Sequence, residues 1–189
     1  MNDIYNEYPL LNGFVQEIKT DGRASAPASA SISFKDGKLN TRLTLSKKDL
    51  SDLKSIDEMI KQCLALKWWT PKNGIEGIIK HEMGHMIEYA LTLKKYGVIN
   101  TNAQLVNLNQ IKNAFDAINK GEISKEIKID SLSKLKLINA KQTIKNNLSE
   151  YSYKSTLEFL AEAVSEHDPR PLAKEVVRLL KEKIKEVWK

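Results

Sequence analysis

The chain has 189 residues, 41% of them hydrophobic and 29% charged, and its single Cys63 excludes an internal disulfide and any Cys-rich zinc module. A domain of this size buries about two-thirds of its unfolded surface, so folding needs neither disulfide nor metal. Residues 1–119 carry 15 basic and 13 acidic side chains and residues 120–189 carry 15 and 11, so the net charge of +6 is spread too evenly to point to a nucleic-acid partner.

The first 45 residues read as β-structure. Ala28–Lys35 alternates, with Ala28, Ala30, Ile32 and Phe34 on one face and Ser29, Ser31, Ser33 and Lys35 on the other. Asp36-Gly37 favours a two-residue type I′ turn, and Lys38–Leu45 alternates again, which predicts an antiparallel hairpin with one face on a core. Phe14–Lys19 is a further candidate strand, and Tyr5, Tyr8 and Pro9 are expected to cover the core near the N-terminus.

From Ser46 the signals are helical. Ser46 with Asp49 and Ser55 with Glu58 have capping-box spacing. The apolar stretch Gln62–Trp69, with a buried, inert Cys63 and a Trp68-Trp69 pair read as a hydrophobic anchor, an aromatic platform being the alternative, stops at Thr70-Pro71-Lys72-Asn73-Gly74. Helices are then predicted over Ile75–Tyr96, Thr101–Lys120, Ser131–Asn147, Thr156–His167 and Pro171–Trp188, with stops at Gly97, Gly121 and Asp168-Pro169. A small sheet followed by many helices is an α+β pattern, expected as a single domain over 1–189. No apolar run approaches the roughly 20 residues of a membrane span, and Met1–Phe14 lacks the regions of a signal peptide; the expectation is a cytoplasmic protein with no membrane partner.

His81-Glu82-Met83-Gly84-His85 fits H-E-x-x-H, which sets two imidazoles four residues apart on one helical face, spaced to bind one Zn²⁺ with the Glu as general base. With 3 His and 15 Glu in the chain, a chance match is expected only about 0.004 times. At about 100° per residue, Ile75, Ile79, Met83, Met86 and Ala90 form the buried stripe of this helix, and His81, Glu82 and His85 lie at its margin.

A catalytic zinc needs a third protein ligand and an open position. The extended pattern H-E-x-x-H-x-x-G-x-x-H fails, because Glu88 stands in the Gly position and Leu91 in that of the last His. Glu158 and Glu162 flank the apolar stripe Leu157, Leu160, Ala161 and Val164 at a spacing where like charges repel. A zinc ion on Glu158, with Glu162 receiving the free ring N–H of a ligand histidine, accounts for that pairing; an ordinary solvated acidic edge is the plain alternative. His167, before Asp168-Pro169, reads as a surface or capping residue.

Taken with Tyr151-Ser152-Tyr153-Lys154-Ser155-Thr156-Leu157-Glu158-Phe159-Leu160-Ala161-Glu162-Ala163, the His81–His85 motif resembles a known family. It looks like the catalytic domain of anthrax lethal factor, the bacterial Pro-Pro endopeptidases, and related metallopeptidase-like domains of phages and prophages. The shared pattern is H-E-x-G-H and, later, a Tyr seven residues before E-F-x-A-E-A. The resemblance implies a zincin-like fold of the gluzincin kind, with one Zn²⁺ on His81, His85 and Glu158. It further implies Glu82 as general base, Tyr151 as the hydroxyl that stabilises the oxyanion, and Glu162 as partner of a ligand histidine. The separation of His85 from Glu158, 73 positions, is long for this family and suggests a helical insertion around 100–147, as a lid or a partner surface.

The expected activity is zinc-dependent hydrolysis of a peptide bond. The expected partner is a protein or peptide, bound as an added strand along 38–45 if that strand has an open edge. The alternative is a head-associated structural protein of a phage or prophage that keeps a zinc site without general protease activity.

Overall fold

The structure, a computed structural model, describes residues 2–99 and 107–188. Among the described residues it is α+β and mostly helical, with nine α-helices and one three-stranded sheet. A short helix α1 (Asn2–Glu7) leads to strands β1 (Glu17–Asp21), β2 (Ala28–Lys35) and β3 (Lys38–Ser46). The helices that follow are α2 (Lys47–Leu50), α3 (Leu53–Ala65), α4 (Gly74–Lys95), α5 (Leu108–Lys120), α6 (Glu122–Lys134), α7 (Lys141–Asn147), α8 (Thr156–Ser165) and α9 (Pro171–Val187). No helix of the described residues is long and apolar enough to cross a membrane.

The β2–β3 hairpin forms as its alternation predicts, in the register Ala30↔Leu43 and Lys35↔Lys38. Asp36 and Gly37 both take positive φ, 52° and 74°, as the type I′ turn requires. The sheet order is β1-β3-β2, with β1 parallel to β3 from Glu17↔Arg42 to Asp21↔Ser46. This corrects the expectation of an open edge along 38–45. β3 is the central strand, paired on both sides over Arg42–Ser46, and the edge strands are β1 and β2, of which β2 packs against α4.

α4 is buried almost all round from His81 to Leu93, because α3, α5, α6, α8, α9 and β2 all pack against it. The expected stripe holds for Met83, Met86 and Ala90 and weakens at Ile75 and Ile79, which are half-buried near the helix start. Tyr8 and Leu11 close the core from the N-terminal side. Ser46 caps α2, accepting from Asp49 N at 3.2 Å, whereas α3 is capped by Asp52, not by Ser55, which donates its N–H to the Asp52 carboxylate.

The largest departure lies between residues 100 and 147. The first part of the helix expected over Thr101–Lys120 falls outside the described residues, and α5 matches the remainder. The helix expected over Ser131–Asn147 is two, α6 and α7, divided at Lys136 in the left-handed region (φ 54°). α6 starts immediately after Gly121, which at φ 57° serves as both the end of α5 and the start of α6. Its periodicity is hidden because Ser124, Lys128 and Ser131 share its buried face with Ile123, Ile127 and Leu132. Ile111, Ile118, Ile123, Ile127, Leu132 and Ile144 all join the main core, so this stretch, from residue 107 on, is core and not a lid.

Candidate metal centre

The cluster rests on the crossing of α4 and α8. Gly84 makes the crossing close: a Cβ built there would lie 2.7 Å from Ala161 Cα and 3.2 Å from Ala161 Cβ, below any ordinary carbon contact. The glycine of H-E-x-G-H and the alanine between Glu158 and Glu162 are therefore one packing device, which brings the carboxylates of α8 over the imidazoles of α4. Ser155 caps α8, accepting from Glu158 N at 3.1 Å, and so places Glu158 in the first turn, where the helix dipole favours a carboxylate.

His81 Nε2 lies 3.1 Å and His85 Nε2 3.6 Å from Glu158 Oε2. One ligand atom from each of the three residues falls within 4.8 Å of the others, so the group could hold a metal ion. Behind it, His81 Nδ1 lies 3.0 Å from Glu162 Oε1. Both atoms are buried and lack a hydrogen-bond partner elsewhere among the described residues, so this carboxylate oxygen serves the imidazole alone. Glu162 is fully buried; its Oε2 accepts from Thr70 N at 2.8 Å and Ser149 Oγ at 2.7 Å, and its backbone carbonyl accepts from Thr70 Oγ1 at 2.7 Å. A carboxylate behind a ligand histidine, with its second oxygen anchored, fixes ring orientation and basicity.

The residues fit a divalent ion of the zinc type. Two imidazole nitrogens and one carboxylate suit zinc better than magnesium or calcium, which take oxygen cages. Burial opposes a charged His81, yet Glu158 and Glu162 outweigh it and hold the imidazole well above its ordinary range, at about 10. Burial likewise opposes a charged Glu158, but His81 and His85 bring it down to about 2. The paired imidazoles and carboxylate form a group that could hold a metal ion.

The other expected residues line the same cleft, of about 510 Å³. Glu82 lies on its wall; burial raises its carboxyl, opposed by His85, His81 and the backbone N–H of Ala30, which donates to Oε2 at 2.7 Å. Tyr151 sits with its ring centroid 6.1 Å from that of His81. Burial, then the Glu158, Glu82 and Glu162 charges, push its hydroxyl up to about 12, so it keeps its proton at neutral pH. All six expected residues (His81, Glu82, His85, Tyr151, Glu158 and Glu162) are thus brought together. His167 is exposed and remote, near Asn73, in keeping with a surface role.

Two readings need correction. Trp68 is cleft wall and not a core anchor, being 40% exposed, whereas Trp69 lines the cleft and also packs against the cluster of Ile56, Ile60 and Ile78; the two rings stand 5.9 Å and 6.4 Å from Tyr151. Backbone bonds from Glu150 N to Lys67 O and from Tyr151 N to Trp68 O bind the tryptophans to the turn that carries Tyr151. Cys63 is half-buried and lines the cleft, although burial keeps its thiol protonated.

Sequence reasoning missed Thr70, Ser149, Ala30 and Tyr89. The first two hold Glu162, Ala30 acts through its backbone, and Tyr89 lines the cleft one helical turn beyond His85. None carries a periodic signal; Tyr89, at i+4 from His85 on the face that presents the ligand, was the one legible from spacing. No protein-family model matches the chain, and neither the curated proteins nor the solved structures include a match to it.

Proposed function

We propose that this chain is a zinc-dependent endopeptidase with a zincin-like fold of the gluzincin kind. The observation that carries the reading is the convergence of His81, His85 and Glu158 in one cleft with Glu82 and Tyr151 on its walls. His81, His85 and Glu158 would hold the zinc ion, which would supply Lewis acidity, lowering the pKa of a bound water and polarising the scissile carbonyl.

The chain's own residues supply the rest. Glu82, whose carboxyl burial raises from its ordinary value, takes the proton of the attacking water and passes it to the leaving amine. Tyr151 remains a hydroxyl and donates to the oxyanion that develops on the carbonyl oxygen. Glu162 holds His81 so that Nε2 faces Glu158 and the cleft. The open edge of β2, where Pro27, Ala28 and Ala30 border the cleft, takes over the role first assigned to 38–45 and offers main-chain groups to an extended peptide.

Purified protein should contain zinc near one equivalent, which His81→Ala removes. Glu82→Gln should keep the zinc and cut a peptide library at least 100-fold more slowly, a base being worth about 10²–10⁴. Wild-type protein that binds no zinc, or a Glu82→Gln variant that cuts normally, would end the reading.

A further inference from the structure

The backbone N–H of Ala30 ends on Glu82 Oε2 at 2.7 Å, and this is the hydrogen bond that the described residues make to the Glu82 carboxylate. We infer that Ala30 is a positioning residue for Glu82: the open edge of β2 holds one carboxylate oxygen so that the other faces the cleft. The inference rests on Glu82 as general base and adds the device that orients it.

Several independent features place that amide. Along an edge strand, alternate residues turn their N–H and C=O towards the neighbouring strand or away from it. Since Ala30 N reaches Glu82 on α4, Ala28, Ala30 and Ile32 present their main chain outward, while Ser29, Ser31 and Ser33 present theirs to β3. The register that decides this is locked twice. Leu43, opposite Ala30, is fully buried in the main core, and the Asp36-Gly37 turn closes the hairpin with both residues at positive φ. A slip of one residue would expose Leu43 and turn the Ala30 amide inward, leaving Glu82 without its donor. The alternation seen in Ala28–Lys35 thus has a chemical consequence: the hairpin register sets the direction of a base 52 positions away. It also divides the edge, because an incoming strand finds the Ala30 N–H already engaged.

The test needs two measurements on the full-length protein. Amide exchange followed by NMR should find Ala30 protected at least tenfold more than in Glu82→Ala, with Ala28 and Ile32 unchanged. Glu82→Gln, which keeps an acceptor oxygen, should retain the protection. Replacing the Ala30 amide by an ester, with lactate supplied at position 30, deletes the donor. It also makes the Ser29 carbonyl a weaker ester acceptor towards β3, so the same replacement at position 32, whose amide meets no carboxylate among the described residues, serves as the control. The ester at position 30 should leave zinc content and KM near wild type and lower kcat about 10- to 100-fold, as expected for a displaced catalytic group. Exchange at Ala30 that is indifferent to Glu82→Ala overturns the inference whether or not any peptide is cut, and so does an ester variant with wild-type kcat. If the wild type cuts nothing, the endopeptidase reading fails and the exchange measurement alone decides whether Ala30 holds Glu82.

Discussion

Gly84→Ala separates the packing role of the metal-site motif from its ligand role. The new methyl would stand 2.7 Å from Ala161 Cα, so α8 has to retreat by about 0.8 Å to reach the 3.5 Å of an ordinary carbon contact. Two terms then oppose each other in stability. Alanine in place of a helical glycine gains about 1 kcal/mol, and overpacking a close helix crossing costs about 1–3 kcal/mol. The net loss is small, about 0–2 kcal/mol, and the variant remains folded. The metal site has no such tolerance. Its two imidazoles ride on α4 and its carboxylate on α8, and ligand distances hold only to about ±0.2 Å. Urea unfolding of the metal-free protein, paired with zinc titration against a competing chelator, reads the two quantities separately. The expected signature is a midpoint close to wild type with zinc affinity reduced at least tenfold. Wild-type affinity in a folded Gly84→Ala protein would falsify the claim that the α4–α8 approach sets the ligand geometry.

Four further outcomes follow from the same contacts. Glu162→Ala strips His81 Nδ1, Thr70 N and Ser149 Oγ of their acceptor; zinc affinity should fall about 10- to 100-fold, measured by the same titration. Tyr151→Phe should keep zinc and KM but lower kcat by about 10²–10³ in steady-state assays, the usual loss for one oxyanion donor. Glu88 is fully buried and accepts from Ile123 N, Ser124 N and Ser124 Oγ at the start of α6, where no local side chain caps the helix. Glu88→Ala should therefore cost about 2–4 kcal/mol by denaturant unfolding, with donors left unpaired in the core. Lys128 is buried beside the rings of Phe159 and Tyr153, and burial lowers its ammonium below its ordinary value. A depressed pKa means that the charged form is the penalised one, so its cost is present at neutral pH and fades as pH rises towards 10.5. Lys128→Met should thus be more stable than wild type at pH 7, with the gain shrinking on the alkaline side in melts across pH.

The legible parts of the molecule are those set by local rules. The β2–β3 hairpin follows from strict alternation around Asp36-Gly37, whose positive φ values need no tertiary help. α4, α8 and α9 follow from helical periodicity closed by Gly97, Ser155 and Pro171. α6 escaped because its buried face mixes Ser124, Lys128 and Ser131 with aliphatics, a face whose acceptability is decided by partners elsewhere, such as Glu88 and the ring of Phe159. Trp68 departs from the core for a related reason. Apolar rings next to a helix start look like core, as Trp69 in part is, and only the backbone pairing of Lys67 and Trp68 with Glu150 and Tyr151 turns Trp68 to the cleft.

For the site itself, the spacing of His81, Glu82 and His85 on one helix was sufficient, since i and i+4 must share a face wherever that helix packs. Glu158 and Glu162 were suggested by their spacing and Tyr151 only by the family resemblance, and their distance from His81 is a property of the α4–α8 crossing, which Gly84 and Ala161 permit only as a pair. The anchoring of Glu162 by Thr70 and Ser149, the open edge on β2 instead of β3, and the Ala30 amide on Glu82 were decided by tertiary structure alone. A side chain's periodicity records which face is buried. It holds no record of which backbone amide, 52 residues away, will meet it there.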